Sequence, residues 1–313
     1  KKIVTASADH SAIVWDALSG GLLIELKGHT DNVNSAFFSP DGKKVITASS
    51  DNTAKIWDVQ SGLLLADLKG HTDEVNTACF SPDSKKIVTA SNDSTAKIWD
   101  AQNGVLLVDL NGHTGAVNKA CFSPDGKKIV TASDDNTSKI WDVQSGKQLF
   151  SLQGHSDVIV DACYSPDGKK IATASNDSTA KIWDAQTGAL LAELKHSQWV
   201  NNACFSPDSK KIVTASEDEV IGKNFTFAKI WDAQTGALLS NLKGHSWGVR
   251  TACFSPDGKR IVTASLDHKA IIWDAQTGVI QTLLKGRTYY VNSAFFSPNG
   301  KKIVTSSSDH TAK

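Results

Sequence analysis

Histidine, serine and aspartate, the residue types of nucleophilic catalysis, recur in this 313-residue chain at a fixed spacing. Residues 112–153 show the pattern once, as His113, Ser133 and Asp135 followed by the pair Trp141-Asp142. A histidine held by an aspartate can take the proton of a hydroxyl and turn it into a nucleophile. The same set returns in nearly every copy of one repeated unit, however. Repetition of this kind favours a structural role for these residues.

The elements that position these residues follow from the repeat. The Trp-Asp pair occurs seven times, at Trp15-Asp16, Trp57-Asp58, Trp99-Asp100, Trp141-Asp142, Trp183-Asp184, Trp231-Asp232 and Trp273-Asp274. The successive spacings are 42, 42, 42, 42, 48 and 42 residues. A fixed period of this length predicts a repeat architecture, in which one unit cannot bury its apolar faces alone.

Each unit contains four short runs of strand composition separated by turn signals. In the unit above, the runs are residues 116–122, 128–133, 137–142 and 148–153. Pro124-Asp125-Gly126 ends the first run and suits a type I turn. Because β-branched residues dominate and helical spacing is absent, the pattern predicts four antiparallel strands per unit.

Several signals recur together in these units: a Gly-His pair, a Ser-Pro-Asp-Gly turn, an aspartate shortly before the tryptophan, and the Trp-Asp pair. With them, the whole chain resembles the WD-repeat (WD40) β-propeller family. The resemblance implies an all-β fold, a single closed seven-bladed β-propeller of four-stranded antiparallel blades, with the ring closed by strands from both termini. Residues 1–313 would form one domain of seven repeats plus an overlapping terminal strand.

The resemblance also implies a hydrogen-bonded tetrad in each blade. In the second blade its members are His29, Asp51, Trp57 and the hydroxyl of Thr47 or Ser49, which share a strand face. Sequence alone does not choose between the two hydroxyls, and the predicted sets are written with the serine. They are His29, Ser49, Asp51 and Trp57; His71, Ser91, Asp93 and Trp99; His113, Ser133, Asp135 and Trp141; and His155, Ser175, Asp177 and Trp183. Because buried polar groups need partners, we expect the four members to satisfy one another.

Composition and motifs exclude several functions. The net charge is zero, which argues against a nucleic-acid partner and against an anionic membrane surface. No apolar run approaches the eighteen residues of a membrane span. The sequence shows no paired catalytic carboxylates, nucleophile elbow, glycine-rich phosphate loop or metal-ligand spacing. We therefore expect no enzyme activity, no cofactor and no bound metal.

Five cysteines occupy one slot of the first strand in five repeats, and phenylalanine takes that slot in the other two. They are Cys79, Cys121, Cys163, Cys204 and Cys253, with Phe37 and Phe295. An odd number at one equivalent position does not indicate a disulfide framework. A metal-binding ring is the alternative, but the two phenylalanines and the lack of spaced ligands weigh against it. We expect small buried thiols in a reducing compartment, hence a cytoplasmic protein. We also expect the isolated domain to be monomeric.

The two ends of the chain carry partial units. Residues 1–16 supply a second and a third strand, and residues 290–307 supply a first strand and another second strand. Strands from both ends would complete one blade and leave no exposed sheet edge. One second strand, residues 2–7 or residues 302–307, is then in surplus. Since the chain contains no methionine, we expect it to be a piece of a longer protein.

Three departures from the repeat fall late in the chain. Lys195-His196 lacks the usual glycine, seven residues are added within residues 219–227, and Arg287 replaces a histidine. The last change predicts the loss of a hydrogen bond worth about 1 kcal/mol, unless Arg287 pairs with Asp9 or Asp309.

Aromatic residues that the repeat does not require concentrate in the same region. They are Trp199, Trp247, Tyr289, Tyr290, Phe225 and Phe227, and three further departures, Arg250, Glu217 and Leu266, lie among them. The six aromatic residues fall just before a first strand or between a second and a third strand, and both loop types open on the top rim of a propeller. Clustered Trp, Tyr and Arg suit an interaction hot spot. For Phe225 and Phe227 the alternative is that they seal the inserted loop.

These features predict a non-catalytic scaffold that binds a protein or peptide on the top rim over the late blades. The alternative is a C-terminal sensor or regulatory propeller from a larger bacterial-type signalling protein, which such uniform repeats resemble. Catalysis is the least favoured function.

Overall fold

The computed structural model describes residues 2–217, 227–309 and 311–313. Every regular element in these ranges is a β-strand, and no helix occurs in them. The chain divides into two compact units, residues 1–153 and residues 154–313. All pairs of neighbouring strands are antiparallel, which confirms the prediction of an all-β fold.

The first unit contains one three-stranded sheet and three four-stranded sheets, each with its strands in sequence order. The first sheet is β1 (Lys2–Ala6), β2 (Ser11–Asp16) and β3 (Leu22–Lys27). The second is β4 (Val33–Phe38), β5 (Lys44–Ser49), β6 (Thr53–Asp58) and β7 (Leu64–Lys69). The third is β8 (Val75–Phe80), β9 (Lys86–Ser91), β10 (Thr95–Asp100) and β11 (Leu106–Asn111). The fourth is β12 (Val117–Phe122), β13 (Lys128–Ser133), β14 (Ser138–Asp142) and β15 (Gln148–Leu152).

The second unit contains three four-stranded sheets and one two-stranded sheet. The fifth sheet is β16 (Ile159–Tyr164), β17 (Lys170–Ser175), β18 (Thr179–Asp184) and β19 (Leu190–Lys195). The sixth is β20 (Val200–Phe205), β21 (Lys211–Ser216), β22 (Ala228–Asp232) and β23 (Leu238–Asn241). The seventh is β24 (Val249–Phe254), β25 (Arg260–Ser265), β26 (Ala270–Asp274) and β27 (Ile280–Leu284). The eighth is β28 (Val291–Phe296) and β29 (Ile303–Ser307).

The second strand of each four-stranded sheet is buried on both faces, because successive sheets within a unit pack against each other. In β13 only Lys128 is partly exposed, and the remaining five residues are buried. One core cluster joins Val88 and Leu110 of the third sheet to Ile129 and Trp141 of the fourth. Strands covered on both faces are expected to be apolar throughout rather than alternating, which explains the repeated Lys-Ile-Val-Thr-Ala-Ser run.

The Ser-Pro-Asp-Gly turn joins the first and second strands as predicted. The Gly126 N–H donates to the Ser123 carbonyl at 2.8 Å, and the Ser123 hydroxyl donates to the Asp125 carboxylate. Gly126 has a φ of 69°, in the left-handed region that glycine adopts without steric cost. The turn thereby fixes the register of β12 against β13.

The two strands that compete for the second-strand position, one near each end of the chain, each pair with a neighbouring strand of their own sheet. In the first unit, β1 runs antiparallel to β2 with Thr5 opposite Ile13. In the second unit, β29 runs antiparallel to β28, and Ser306 forms a bridge with Ala312 on its other side. Both strands that the sequence offers for one closing blade are therefore formed.

In the part of the chain that the structure describes, there is no helix of the length and hydrophobicity needed to cross a bilayer.

Candidate binding surface

The repeated polar sets form closed hydrogen-bond networks inside the sheets. In the second sheet, His29 Nδ1 lies 2.7 Å from Asp51, and His29 Nε2 lies 2.7 Å from the Thr47 hydroxyl. The Trp57 indole N–H donates to that same hydroxyl at 2.9 Å. The third, fourth, fifth and seventh sheets repeat the arrangement with Thr89, Thr131, Thr173 and Thr263. Recurrence in five sheets supports a structural role.

The hydroxyl of the tetrad is the threonine, so the prediction of Ser49, Ser91, Ser133 and Ser175 is wrong. The register explains the difference. Thr47 lies opposite Lys55 and Val45 lies opposite Trp57, so the indole reaches Thr47 diagonally across the pair of strands. Ser49 lies two residues further, at the turn, where it accepts the Asp51 N–H and donates to the Asp31 carbonyl. The serine therefore closes the turn that presents Asp51.

Burial lowers the pKa of the His29 imidazole, and the neighbouring Asp51 only partly offsets this effect. Burial alone would raise the pKa of the Asp51 carboxyl, but hydrogen bonds from Thr53, His29 and the Thr30 N–H lower it to about 2. The pair is thus a neutral imidazole donating from Nδ1 to a carboxylate, with Nε2 accepting from Thr47. The Thr47 hydroxyl in turn accepts the indole N–H. The His29 side chain is 1% exposed and Thr47 is fully buried, so a substrate has no access to this imidazole or to the hydroxyl beside it.

Arg287, which stands in a histidine slot, forms a different network. Its guanidinium lies 3.6 Å from the Asp309 carboxylate and donates to the hydroxyl and carbonyl oxygens of Thr305 and Thr311. The conditional prediction of an Arg287–Asp309 pair is therefore confirmed. A hydrogen bond from the Thr311 hydroxyl is the main reason why the pKa of Asp309 is lowered, to about 2.

The loops that carry the unusual aromatic residues meet at one end of each sheet. In the seventh sheet Val249 pairs with Ser265, so the loop that precedes β24 and the loop that follows β25 lie side by side. Trp247 belongs to the first of these loops, and Leu266 belongs to the second. The pairing of Val291 with Ser307 places Tyr289 and Tyr290 at the corresponding end of the eighth sheet.

Four rings of the seventh and eighth sheets form one cluster, which we call the aromatic edge: Trp247, His268, Tyr289 and Tyr290. The Trp247 and Tyr290 ring centres lie 6.0 Å apart, and those of His268 and Tyr290 lie 5.6 Å apart. His268 stacks on Tyr289 at 6.3 Å with an interplanar angle of 21°. Trp247 is 36% exposed, Tyr290 36% and Tyr289 57%, so much of the cluster faces solvent.

Sequence reasoning missed His268. It occupies the turn position that holds His10 in the first sheet and Asn52, Ser94, Asn136 and Ser178 in the next four, and it shares their left-handed backbone, with φ of 66°. Its signal was the replacement of a small polar residue by an imidazole in a slot that carries no core role. Comparison of the repeats at that slot would have found it.

Three further predicted residues lie in the sixth and seventh sheets. Arg250 forms an ion pair with Glu217 at 3.5 Å, and Asn201 donates to the same carboxylate at 3.2 Å. The Arg250 side chain is half-exposed. The Leu266 N–H donates to the Gly248 carbonyl at 3.0 Å, which ties its loop to the loop that carries Trp247.

The remaining predicted aromatics have different positions. Trp199 is 49% exposed, but no ring contact joins it to the aromatic edge within the described residues. Phe227 is 4% exposed and packs with Val213, Ile230 and Leu242, so its prediction as a partner-binding residue is wrong. Its ring belongs to the core cluster that the sixth and seventh sheets share. Phe225 lies outside the described residues.

The cysteine side chains are partly buried. Burial raises the pKa of the Cys79 and Cys253 thiols to about 12, which keeps them protonated and unreactive. Across the described ranges, no three His, Cys, Asp or Glu side chains are arranged to hold a metal ion.

Comparison with known proteins identifies a repeat family and similar solved structures. The family model described as WD domain, G-beta repeat matches residues 20–58, 62–100, 104–142, 146–184, 188–221, 236–274 and 278–313. No curated protein matches the chain. The crystal structure of the computationally designed Ika8 protein is similar to 99% of this chain and 92% of that chain, with 29% identity and a TM-score of 0.87.

Proposed function

Because the chain belongs to the WD40 repeat family, we propose that it is a non-catalytic interaction module that binds a protein or peptide through the aromatic edge. WD40 propellers generally act as scaffolds for proteins or peptides. The observation that carries this proposal is the exposed contact of Trp247, His268, Tyr289 and Tyr290.

The chemistry of the aromatic edge suits a protein ligand. By contrast, the tryptophans of the Trp-Asp pairs from Trp57 to Trp273 are at most 6% exposed. Exposed Trp and Tyr rings offer large, rigid surfaces with a polar atom at the rim, and such residues dominate interaction hot spots. Since the repeat holds Asp73 and Glu74 at the slots of Trp247 and Tyr290, the rings are not a requirement of the fold.

The Arg250–Glu217 pair extends the proposed surface with charge. Glu217 is held by Arg250 and Asn201, while Arg250 stays half-exposed and has donors left for a ligand carboxylate or carbonyl. A ligand that combines an apolar anchor with a nearby acceptor would use both features. We include Trp199 and Leu266 at the edge of this surface.

We further propose that the seven matched repeats complete a closed seven-bladed β-propeller that works as a monomer. The family matches across the chain and the similarity over 99% of its length support this. A crystal structure with another number of blades would contradict the ring, and sedimentation of a stable dimer would contradict the monomer.

The experiment selects peptides from a random phage-displayed library against the intact protein and measures their affinity for variants. Trp247→Ala and Tyr290→Ala should each lower the affinity for the selected peptides at least tenfold. Truncation of an aromatic hot-spot residue costs about 2 kcal/mol or more of binding free energy. The matched controls are Asp73→Ala and Glu74→Ala, which change the same slots of an earlier repeat and should leave the affinity unchanged. Equal losses in both pairs, or losses confined to the controls, would place the site elsewhere.

A further inference from the structure

A buried lysine of the third strand forms an ion pair with the fourth strand in several sheets. In the second sheet, Lys55 Nζ donates to the Asp67 carboxylate at 2.7 Å. Lys181 pairs with Glu193 in the same way in the fifth sheet, and the third sheet has the equivalent pair. Lys55 is 5% exposed and Lys181 is 2% exposed. Lysine side chains are rarely buried so deeply unless an acidic group neutralises them, so the carboxylate is an integral part of this position.

The fourth sheet keeps the buried lysine but lacks the carboxylate. Lys139 is 8% exposed, as is the paired Lys97 of the third sheet. It stands opposite Ser151 on the same face of the sheet. Among the residues that the structure describes, the Lys139 Nζ has no hydrogen-bond or ion-pair partner, and neither has the buried hydroxyl of Ser151. A charged donor and a neutral donor thus lie side by side without an acceptor.

Two other sheets show how the chain avoids an unpaired buried charge. In the seventh sheet Ile271 stands opposite Leu283, so both side chains are apolar. In the sixth sheet, Lys229 stands opposite Asn241 but donates to the Lys195 carbonyl at 2.9 Å. The fourth sheet has neither arrangement. Because a buried charge without a partner is strongly destabilising, its lysine needs an acceptor from outside the chain.

A third donor stands beside these two at the surface. In the second sheet, Lys69 also binds the Asp67 carboxylate, at 3.1 Å. Gln153 takes the slot of Lys69 in the fourth repeat, two residues after Ser151, and it is exposed. Its side-chain amide carries two N–H donors. An anion can therefore approach Lys139 from the solvent on the side of Gln153.

We propose that Lys139 and Ser151 bind a small monovalent anion, of the size of chloride or formate, where the second sheet has the Asp67 carboxylate. The Lys139 ammonium offsets the charge of the anion, the Ser151 hydroxyl donates a hydrogen bond to it, and Gln153 covers it from the solvent. Serine is shorter than aspartate by a carboxylate group, so an anion of that size replaces what the side chain lacks. Sulfate is too large and too highly charged for this position.

Burial distinguishes this position from the many lysines at the surface. Lys127, in a turn of the same repeat, is exposed, so water competes for its ammonium and salt screens its attraction for an anion. An ammonium with little access to water attracts an anion more strongly, and a neighbouring hydroxyl adds a directed hydrogen bond. The Asp135 carboxylate of the same sheet is engaged by His113 and Thr137, so it is not available to neutralise Lys139.

The first test measures chloride binding to the intact protein by chloride nuclear magnetic resonance, because exchange of bound chloride broadens the resonance. Formate should displace a saturable part of the broadening that sulfate at the same ionic strength leaves in place. Lys139→Ile should remove that part, and Ile271 of the seventh sheet shows that the slot accepts isoleucine. Lys127→Ile, the matched control, should retain it. Equal broadening in the parent and in Lys139→Ile would mean an adventitious ion only, at the surface, and would overturn the proposal.

The second test uses stability and creates the site in another sheet. At constant ionic strength, replacing gluconate by chloride should raise the urea midpoint of the parent. An anion that binds only the folded chain, at about ten times its Kd, lowers the unfolding equilibrium constant about elevenfold. Ser151→Asp supplies its own carboxylate and should lose this response, whereas Asp67→Ser should enlarge it, because Lys55 then needs an anion as well. A response that Ser151→Asp retains, or that Asp67→Ser leaves unchanged, would contradict anion binding at Lys139.

Discussion

The second to fourth sheets and the seventh and eighth sheets have nearly the same first and second strands but differ in the residues that their loops carry. In the earlier sheets, the loop before the first strand holds small or charged residues such as Asp73 and Glu74. In the later sheets the same slots hold Trp247 and Tyr290, whose ring centres lie 6.0 Å apart. Because the strands tolerate either set of residues, the fold does not fix what these loop positions carry.

The largest expected effect distinguishes a tryptophan of the core from a tryptophan of the aromatic edge. Trp141→Ala should lower the free energy of unfolding by about 3–5 kcal/mol, because it removes a large core side chain that is 1% exposed. Trp247→Ala should lower it by no more than about 1.5 kcal/mol, because the main loss is the ring contact with Tyr290, while it weakens peptide binding. Urea unfolding measures both. Similar losses of stability in the two variants would mean that the aromatic edge supports the fold.

The sequence predicted most of the fold because the repeat supplies the same information seven times. Strand bounds in the fourth sheet differ from the predicted ones by one residue at most, since Ser-Pro-Asp-Gly and Asp-Asn turns fix both ends of β13. The sequence could not decide whether Thr131 or Ser133 supplies the hydroxyl of the tetrad. Both lie on one strand face, and only the register of β13 with β14 distinguishes them.

The candidate site was less predictable than the fold. Comparing the repeats with one another identifies aromatic residues that the repeat does not require. It does not reveal whether such a residue is buried, because burial depends on packing. Phe227 lies in the core and Trp247 at the surface, although both depart from the repeat. His268 joins the aromatic edge through its left-handed turn, which directs the imidazole towards Tyr289 and Tyr290.

A second test uses the pH dependence of the tetrads. Burial lowers the pKa of His113 in the folded chain, so below its ordinary value of 6.5 the unfolded chain binds a proton that the folded chain does not. The free energy of unfolding should therefore fall as the pH decreases from 7 to 5.5, by at most about 1 kcal/mol for each such histidine. Carboxylates such as Asp135, whose pKa is lowered to about 2, lose their stabilising effect only below their ordinary value of 3.8.

The His113→Gln variant isolates this effect. It should be less stable than the parent at pH 7, because the Asp135 and Thr131 contacts are disturbed, but its loss of stability between pH 7 and pH 5.5 should be smaller by up to about 1 kcal/mol. Chemical unfolding at the two pH values gives the difference. An unchanged pH dependence would show that the pKa of His113 is the same in the folded and the unfolded chain.

The smallest effect concerns a departure within the regular sheets, at Ser151. In the second and third sheets Lys55 pairs with Asp67 and Lys97 pairs with Asp109 across the third and fourth strands. In the fourth sheet Lys139 stands opposite Ser151, whose buried hydroxyl has no hydrogen-bond partner among the described residues. Ser151→Asp should restore the pair and raise the free energy of unfolding by about 0.5 kcal/mol, because a partly buried ion pair replaces an unsatisfied hydroxyl.

Asp67→Ser provides the reverse change in the second sheet and should lower the free energy of unfolding by a similar amount, with a smaller difference at high salt. Neither substitution touches the aromatic edge, so peptide binding should stay the same in both variants. If Ser151→Asp weakened binding without a change in stability, departures from the repeat in the regular sheets would also mark a binding surface. It would then be wrong to assign the fourth sheet a purely structural role.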